Sequence, residues 1–176
     1  MQAALLVIDV QQGMTRGEWA VFDAAGLIDR INIVIARSRN AGVPIVFVQH
    51  EDAVLTPESS GWQLDERLDI REGDLRVRKR CSDAFHQTPL QQLLTDLDVR
   101  RLIACGLQSE FCVDSTVRRA LALGFPVTLI ADGHATLDNG VVSAQQIADH
   151  HNVTLSNLGS YGPSVRLFTA AQFSAD

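Results

Sequence analysis

The run Ala3-Ala4-Leu5-Leu6-Val7-Ile8, ended by Asp9, decides the fold. It is apolar throughout, without the alternation of a strand that keeps one face in water. Such a run predicts a strand buried on both faces, as in a parallel sheet covered by helices. Val43-Pro44-Ile45-Val46-Phe47-Val48, Arg101-Leu102-Ile103-Ala104-Cys105 and Val127-Thr128-Leu129-Ile130-Ala131 repeat the pattern. Weaker strands are predicted at Leu75–Arg78 and at Val153–Leu155. Helical patterns lie between them. Leu27, Ile28, Ile31, Val34 and Ile35 recur at helical spacing in Ala24–Asn40, which stops at Ala41-Gly42. Thr88-Pro89 opens a helix carrying Leu90, Leu93, Leu94 and Leu97. Val113–Leu123 and Val141–His151 are the remaining helices. Strand–helix alternation predicts an α/β fold: a three-layer α-β-α arrangement with a mostly parallel six-stranded sheet, Rossmann-like.

The crossovers are short, so the 176 residues are expected to form a single domain over 1–176. The exception is the polar stretch Glu51–Asp74, too long for an ordinary connection and of the kind that often forms a lid. Hydrophobic residues make up 46% and the net charge is −6. That balance opposes nucleic-acid binding, despite the short basic cluster Arg76, Arg78, Lys79 and Arg80. No run approaches the roughly 18 apolar residues that cross a bilayer. No basic leader precedes the first strand, and Cys81, Cys105 and Cys112 lack zinc-ligand spacing, so a cytoplasmic protein with free thiols is expected. The closely spaced glycines of a dinucleotide site are missing after the first strand.

In open α/β sheets, chemistry sits beyond the carboxyl ends of the strands. Asp9, Lys79 and Cys112 fall at such ends. Taken singly, each has an ordinary structural reading: Cys112 as a buried cysteine at a helix start, Asp9 as a cap, Lys79 as a surface lysine. Together they supply a thiol nucleophile, an ammonium that favours the thiolate and a carboxylate that moves the proton. Backbone N–H groups of the turn before the helix would hold an oxyanion.

Three segments, in order, resemble the isochorismatase-like cysteine hydrolases, the superfamily that includes nicotinamidases and related amidohydrolases. They are Leu5-Leu6-Val7-Ile8-Asp9-Val10-Gln11, Lys79-Arg80-Cys81-Ser82-Asp83-Ala84-Phe85 with Thr88 and Leu90, and Gly106-Leu107-Gln108-Ser109-Glu110-Phe111-Cys112-Val113 with Thr116, Ala120 and Gly124. Gly61-Trp62 looks like a loop feature of the non-nicotinamidase branches. The resemblance implies Asp9 as general base and then acid, Lys79 as the group that stabilises the thiolate, and Cys112 as nucleophile. It also implies a cis peptide at Leu107-Gln108 that aims the N–H of Gln108, with that of Cys112, at the oxyanion. Homodimers or homotetramers are common among such proteins.

Nicotinamidase-like members carry an Asp-x-His pair and a further histidine that bind a metal. Here the sequence reads Gln49-His50-Glu51-Asp52, so no metal and no cofactor is expected. A small-molecule substrate with an amide, ureide or carbamoyl C–N bond is expected instead. Gln11, His50, Trp62, Phe85, Glu110 and Phe111 are the candidate substrate-binding residues. Trp62 would equally suit an interface, Phe85 the core, and Glu110 a simple turn. An ether-cleaving hydrolase that relies on Asp9, and a non-catalytic binding protein on the same fold, are the alternatives.

Overall fold

The computed structural model describes residues 2–175. Its strands are β1 (Ala3–Ile8), β2 (Ile45–His50), β3 (Leu75–Lys79), β4 (Arg101–Leu107), β5 (Val127–Ala135) and β6 (Val165–Phe168). Its helices are α1 (Gln12–Thr15), α2 (Ala24–Asn40), α3 (Leu90–Asp96), α4 (Asp114–Ala122) and α5 (Ala144–Ser156). The strands form one sheet in the order β3-β2-β1-β4-β5-β6, with every adjacent pair parallel. This is the expected three-layer α/β/α architecture.

Every residue of β1 is buried, because side chains alternate between two cores. Leu5 and Val7 pack with Leu27, Ile31 and Ile35 of α2. Leu6 and Ile8 pack on the other face with Leu90 and Leu94 of α3, Val117 and Leu121 of α4, and Leu155 of α5. No helix among the described residues is long and apolar enough to cross a membrane.

The predicted span of α2 matches the observed one. Gly42 at φ 70° ends it, and the N–H of Val43 returns to the carbonyl of Ser38 at 2.9 Å. Two expectations fail near the C-terminus. Val153–Leu155 is not a strand but the last part of α5, which starts at Ala144 behind a Ser143–Gln146 capping box. Ile147, Ala148, Asn152 and Leu155 make its buried stripe, while Val153 points to solvent. His150 and His151 therefore do not end the helix. The sixth strand is Val165–Phe168, only four residues long and paired on one side only.

Glu51–Asp74 contains no strand or helix, and its residues 61–65 are hydrogen-bonded to residues 10–13. The N–H groups of Gln12 and Gly13 donate to the carbonyls of Gln63 and Gly61 at 2.8 and 2.9 Å, and that of Asp65 donates to Val10 at 2.9 Å. Asp65 is buried and accepts from Thr15 Oγ1 at 2.5 Å and Arg67 Nη2 at 2.7 Å. Burial alone would raise its pKa; the hydrogen bonds from Arg67 and Thr15 reverse this and hold it well below the usual carboxylate range. Through residues 61–65 the segment packs beside the end of β1.

Gly106 closes the sheet around the site. It sits opposite Ile8 at φ 121°, and a Cβ there would lie 2.0 Å from the Ile8 carbonyl oxygen. Neither the dihedral nor the space admits a side chain. Gly106→Ala is expected to destabilise the fold by about 3 kcal/mol or more, read as a lower urea midpoint; an unchanged midpoint would refute this close approach.

Candidate functional site

The site is built at the carboxyl ends of four neighbouring elements. β1 and β4 are adjacent where the chain order reverses, the place at which open α/β sheets bind their ligands. Asp9 follows β1 directly, in a left-handed conformation at φ 52°. Beyond β4 the Leu107–Gln108 peptide is cis, and the chain enters a π-helical turn, Ser109–Val113, that carries Cys112. Lys79 ends β3, in register with His50 at the end of β2. Two strand spacings, roughly 10 Å, separate β3 from β1, and the lysine side chain bridges toward that gap.

Its ammonium is the meeting point. Lys79 Nζ lies 2.6 Å from Asp9 Oδ2, 3.1 Å from Cys112 Sγ and 3.1 Å from His50 Nδ1. The lysine side chain is 0% exposed. An ammonium has no lone pair, so His50 Nδ1 must accept and the ring hydrogen sits on Nε2. That nitrogen faces Asp52 Oδ2 at 3.4 Å. Burial works against the lysine charge, but Asp9 and then Cys112 outweigh it and raise its pKa. For Cys112 the balance goes the other way. Burial first, and then the Asp9 carboxylate, push the thiol up to about 12, against the opposing pull of Lys79. The free thiolate is thus harder to form than for the ordinary thiol. The resting state is a neutral thiol beside an ammonium–carboxylate pair. The other oxygen, Asp9 Oδ1, is buried with no hydrogen-bond donor among the described residues.

The remaining candidates divide. The Gln108 N–H, beside the thiol turn, has no acceptor among the described residues. Phe111 is 52% exposed next to Cys112. Glu110 Oε1 accepts from the Thr136 hydroxyl at 2.8 Å, and its Oε2 is buried without a donor among the described residues. Gln11 is fully buried and its amide is engaged internally: Nε2 donates to the carbonyls of His50 and Trp62, and Oε1 accepts from the His50 N–H. It ties Trp62 to the strand end. Trp62 gives its carbonyl to Gln49 Nε2 at 3.2 Å and its ring to the Arg78 guanidinium at 5.2 Å. Gln49 and Arg78 leave their strands opposite to His50 and Lys79, so Trp62 stands across those strands from the ammonium. Phe85 is buried in the core and stacks on Phe125 at 6.3 Å.

A supporting residue escaped notice in the sequence. Glu51 is buried and accepts from Arg78, and from Arg80 at 2.8 Å, the two neighbours of Lys79. Its N–H also donates to the Lys79 carbonyl at 2.9 Å. The basic cluster is therefore half of a clamp that holds the end of β3. The signal was an acid next to His50 facing arginines on either side of Lys79.

Asp9, His50 and Cys112 place ligand-type atoms within 4.8 Å of one another, a spacing that would suit a metal ion. Lys79 Nζ, however, is within contact of all three. The ammonium takes the position of the cation, so this set does not fit a metal unless the lysine withdraws.

A sheet whose strand ends bring together a thiol, a carboxylate and an ammonium defines an α/β protein equipped for nucleophilic chemistry. Residues 3–157 match the isochorismatase domain family, and the chain belongs to it. A streptothricin hydrolase of Streptomyces noursei is 40% identical over 149 residues, covering 83% of this chain and 53% of that protein. The chain thus spans about half the length of that relative. A ureidoacrylate amidohydrolase of Klebsiella pneumoniae is 29% identical, covering 84% of this chain and 78% of the relative. A solved structure described as an isochorismatase family protein is 37% identical and superposes with a TM-score of 0.88, covering 95% of this chain and 98% of the other.

The raised thiol makes a chemical prediction. At pH 8, iodoacetamide should alkylate Cys112 more slowly than exposed Cys81. Asp9→Asn removes the nearby negative charge and should speed alkylation of Cys112 roughly tenfold or more, since one such charge moves a pKa by about one to three. Peptide mass spectrometry separates the two cysteines. A slower reaction in Asp9→Asn would show that Asp9 does not hold the proton on the thiol.

Proposed function

We propose that the protein is a cysteine hydrolase that cleaves a C–N bond in a small amide, ureide or carbamoyl substrate through a thioester, without a metal. One observation carries this reading: a single buried ammonium touches both Asp9 and Cys112. A thiolate is too costly to form alone here, so its proton needs a nearby acceptor. Asp9 offers an unengaged buried oxygen for it. When the proton moves from Sγ to Asp9, the negative charge moves the opposite way, from Asp9 to Sγ, and both are neighbours of Lys79. The ammonium stays paired throughout, so the transfer separates little charge.

Sγ then attacks the carbonyl carbon. A C–S bond forms, and the carbonyl electrons move to oxygen, facing the N–H groups of Gln108 and Cys112. Collapse of this intermediate breaks the C–N bond, and the leaving nitrogen takes the proton from Asp9. In the second half a water gives a proton to Asp9 while its oxygen attacks the thioester. The C–S bond breaks, and Asp9 returns the proton to sulfur. His50 holds the far side of the ammonium, and Phe111 and Glu110 border the substrate's approach. The metal-free reading rests on Lys79 occupying the centre of the ligand-type atoms. The C–N assignment is supported by the relative named as an amidohydrolase and by the intact thiol, which an ether-cleaving mechanism does not need.

A panel of small amides, ureides and carbamates, with intact-mass analysis during turnover, tests the reading. The expected result is hydrolysis of at least one class and an acyl adduct on Cys112. Cys112→Ala and Asp9→Asn should each lower kcat by about 10³-fold or more. Hydrolysis that survives Cys112→Ala but not Asp9→Asn would remove sulfur from the reaction and overturn the thioester. An enzyme that neither turns over the panel nor forms an adduct would refute the proposal.

A further inference from the structure

The mechanism above uses nothing on the β5 side of Cys112, yet that side holds a closed chain of buried polar groups. Ser109 opens the thiol-bearing turn and is fully buried. Its hydroxyl lies 2.8 Å from His134 Nδ1 on β5, and His134 Nε2 lies 3.0 Å from Asn152 Oδ1 on α5. Asn152 Nδ2 donates to the carbonyl of Ala131 at 2.9 Å.

Each link has one sense, fixed from the far end. The Asn152 nitrogen faces a carbonyl, so its oxygen must accept from His134. The histidine hydrogen is therefore on Nε2, and Nδ1 is a lone pair. Ser109 must then donate its hydroxyl hydrogen to Nδ1. Burial keeps the imidazole below its usual pKa, which favours this neutral form. The backbone is shaped to make the contact. Ala104 pairs with Leu129 and Gly106 with His134, so a two-residue step on β4 matches a five-residue step on β5. The bulge lifts His134 level with Gly106, just below the turn. Bulges beside active sites commonly re-aim one side chain in this way.

We propose that His134, oriented by Asn152, is a positioning residue for the nucleophile. It holds Ser109, and with it the Gln108–Cys112 turn, in the geometry from which sulfur and the Gln108 N–H can meet one carbonyl. Its two ring nitrogens are taken by Ser109 and Asn152, so neither is left for a reacting atom. The inference rests on Cys112 as the nucleophile. Displacing a reacting group by about 1 Å costs on the order of 100-fold in rate.

The test compares His134→Leu, which loses both links, His134→Gln, whose amide can accept from Ser109 and donate to Asn152, and Ser109→Ala. The substrate is the one found by the panel above. His134→Leu should lower kcat about 10- to 100-fold with KM changed less than about threefold, and His134→Gln should recover most of the loss. Adding Ser109→Ala to His134→Leu should cost little more, because both cut the same link. Histidine ¹⁵N spectra of the unmodified protein should show the His134 ring, assigned by the loss of its signals in His134→Gln, in the neutral Nε2–H form from pH 8 down through pH 6. Wild-type kcat in a folded His134→Leu protein, fully additive losses, or a charged His134 at pH 6 would each overturn the inference. If His134→Leu does not fold, Ser109→Ala reads the same link, and normal kcat there overturns it. The spectra need no substrate, so they still judge the chain if the panel finds no activity.

Discussion

The buried ammonium of Lys79 is the constraint on which the site depends. Taking a lysine charge out of water costs several kcal/mol, and removing the partner of a buried ion typically costs about 3–5 kcal/mol. The fold must therefore deliver acceptors to one point at the end of a long side chain. It does so from three other elements: Asp9 after β1, His50 at the end of β2 and Cys112 in the turn after β4. Parallel strands make this possible, because all their carboxyl ends open on the same side. The left-handed Asp9 and the side-chain-free Gly106 are local concessions to that convergence.

The ammonium also needs to be held in place. Glu51 grips the arginines on both sides of Lys79 and takes the β3 end by its own backbone N–H. Both arginines are well exposed, so each pair adds little to global stability. Their value is local. They restrain the two residues flanking Lys79, and thus the direction in which its side chain leaves the strand. Gln11 does similar work at the strand ends, joining His50 to Trp62 through a buried amide. Residues 61–65 of the stretch 51–74 are thereby tied to the strand ends.

The strands that form the centre of the sheet were legible because burial on both faces leaves continuous apolar runs. Ala3–Ile8 is such a run, and it gave both the layer architecture and the position of Asp9. β6 was not legible. It is short, paired on one side only and carries Arg166 in its middle, so neither length nor composition marks it. Val153–Leu155 misled for a related reason: three β-compatible residues in a row carry no period, and the capping box that starts α5 lies ten residues upstream. Asp9, Lys79 and Cys112 were identifiable from strand ends and motif resemblance together. Trp62 and Phe85 were not separable from pocket walls, since an aromatic near a site reads the same whether it faces substrate, an arginine or the core. The chain from Ser109 to Asn152 left no trace at all, because its members meet only through a bulge, and bulges are set by pairing rather than by local pattern.

The electrostatics of the site explain why a carboxylate belongs beside a thiol that it makes less acidic. A thiol flanked only by an ammonium would ionise readily, and the standing thiolate would be open to oxidation and to any electrophile. With Asp9 present, burial and the second negative charge keep sulfur protonated at rest. In the proposed reaction a bound substrate makes the proton transfer productive, because the thiolate is then consumed as it forms. The same carboxylate would hold, in that reaction, the proton that the leaving nitrogen requires. In that proposed reaction Asp9 suppresses the nucleophile in the empty site and releases it in the occupied one. That dual role is possible only because Lys79 can exchange one anionic neighbour for the other without itself being left unpaired.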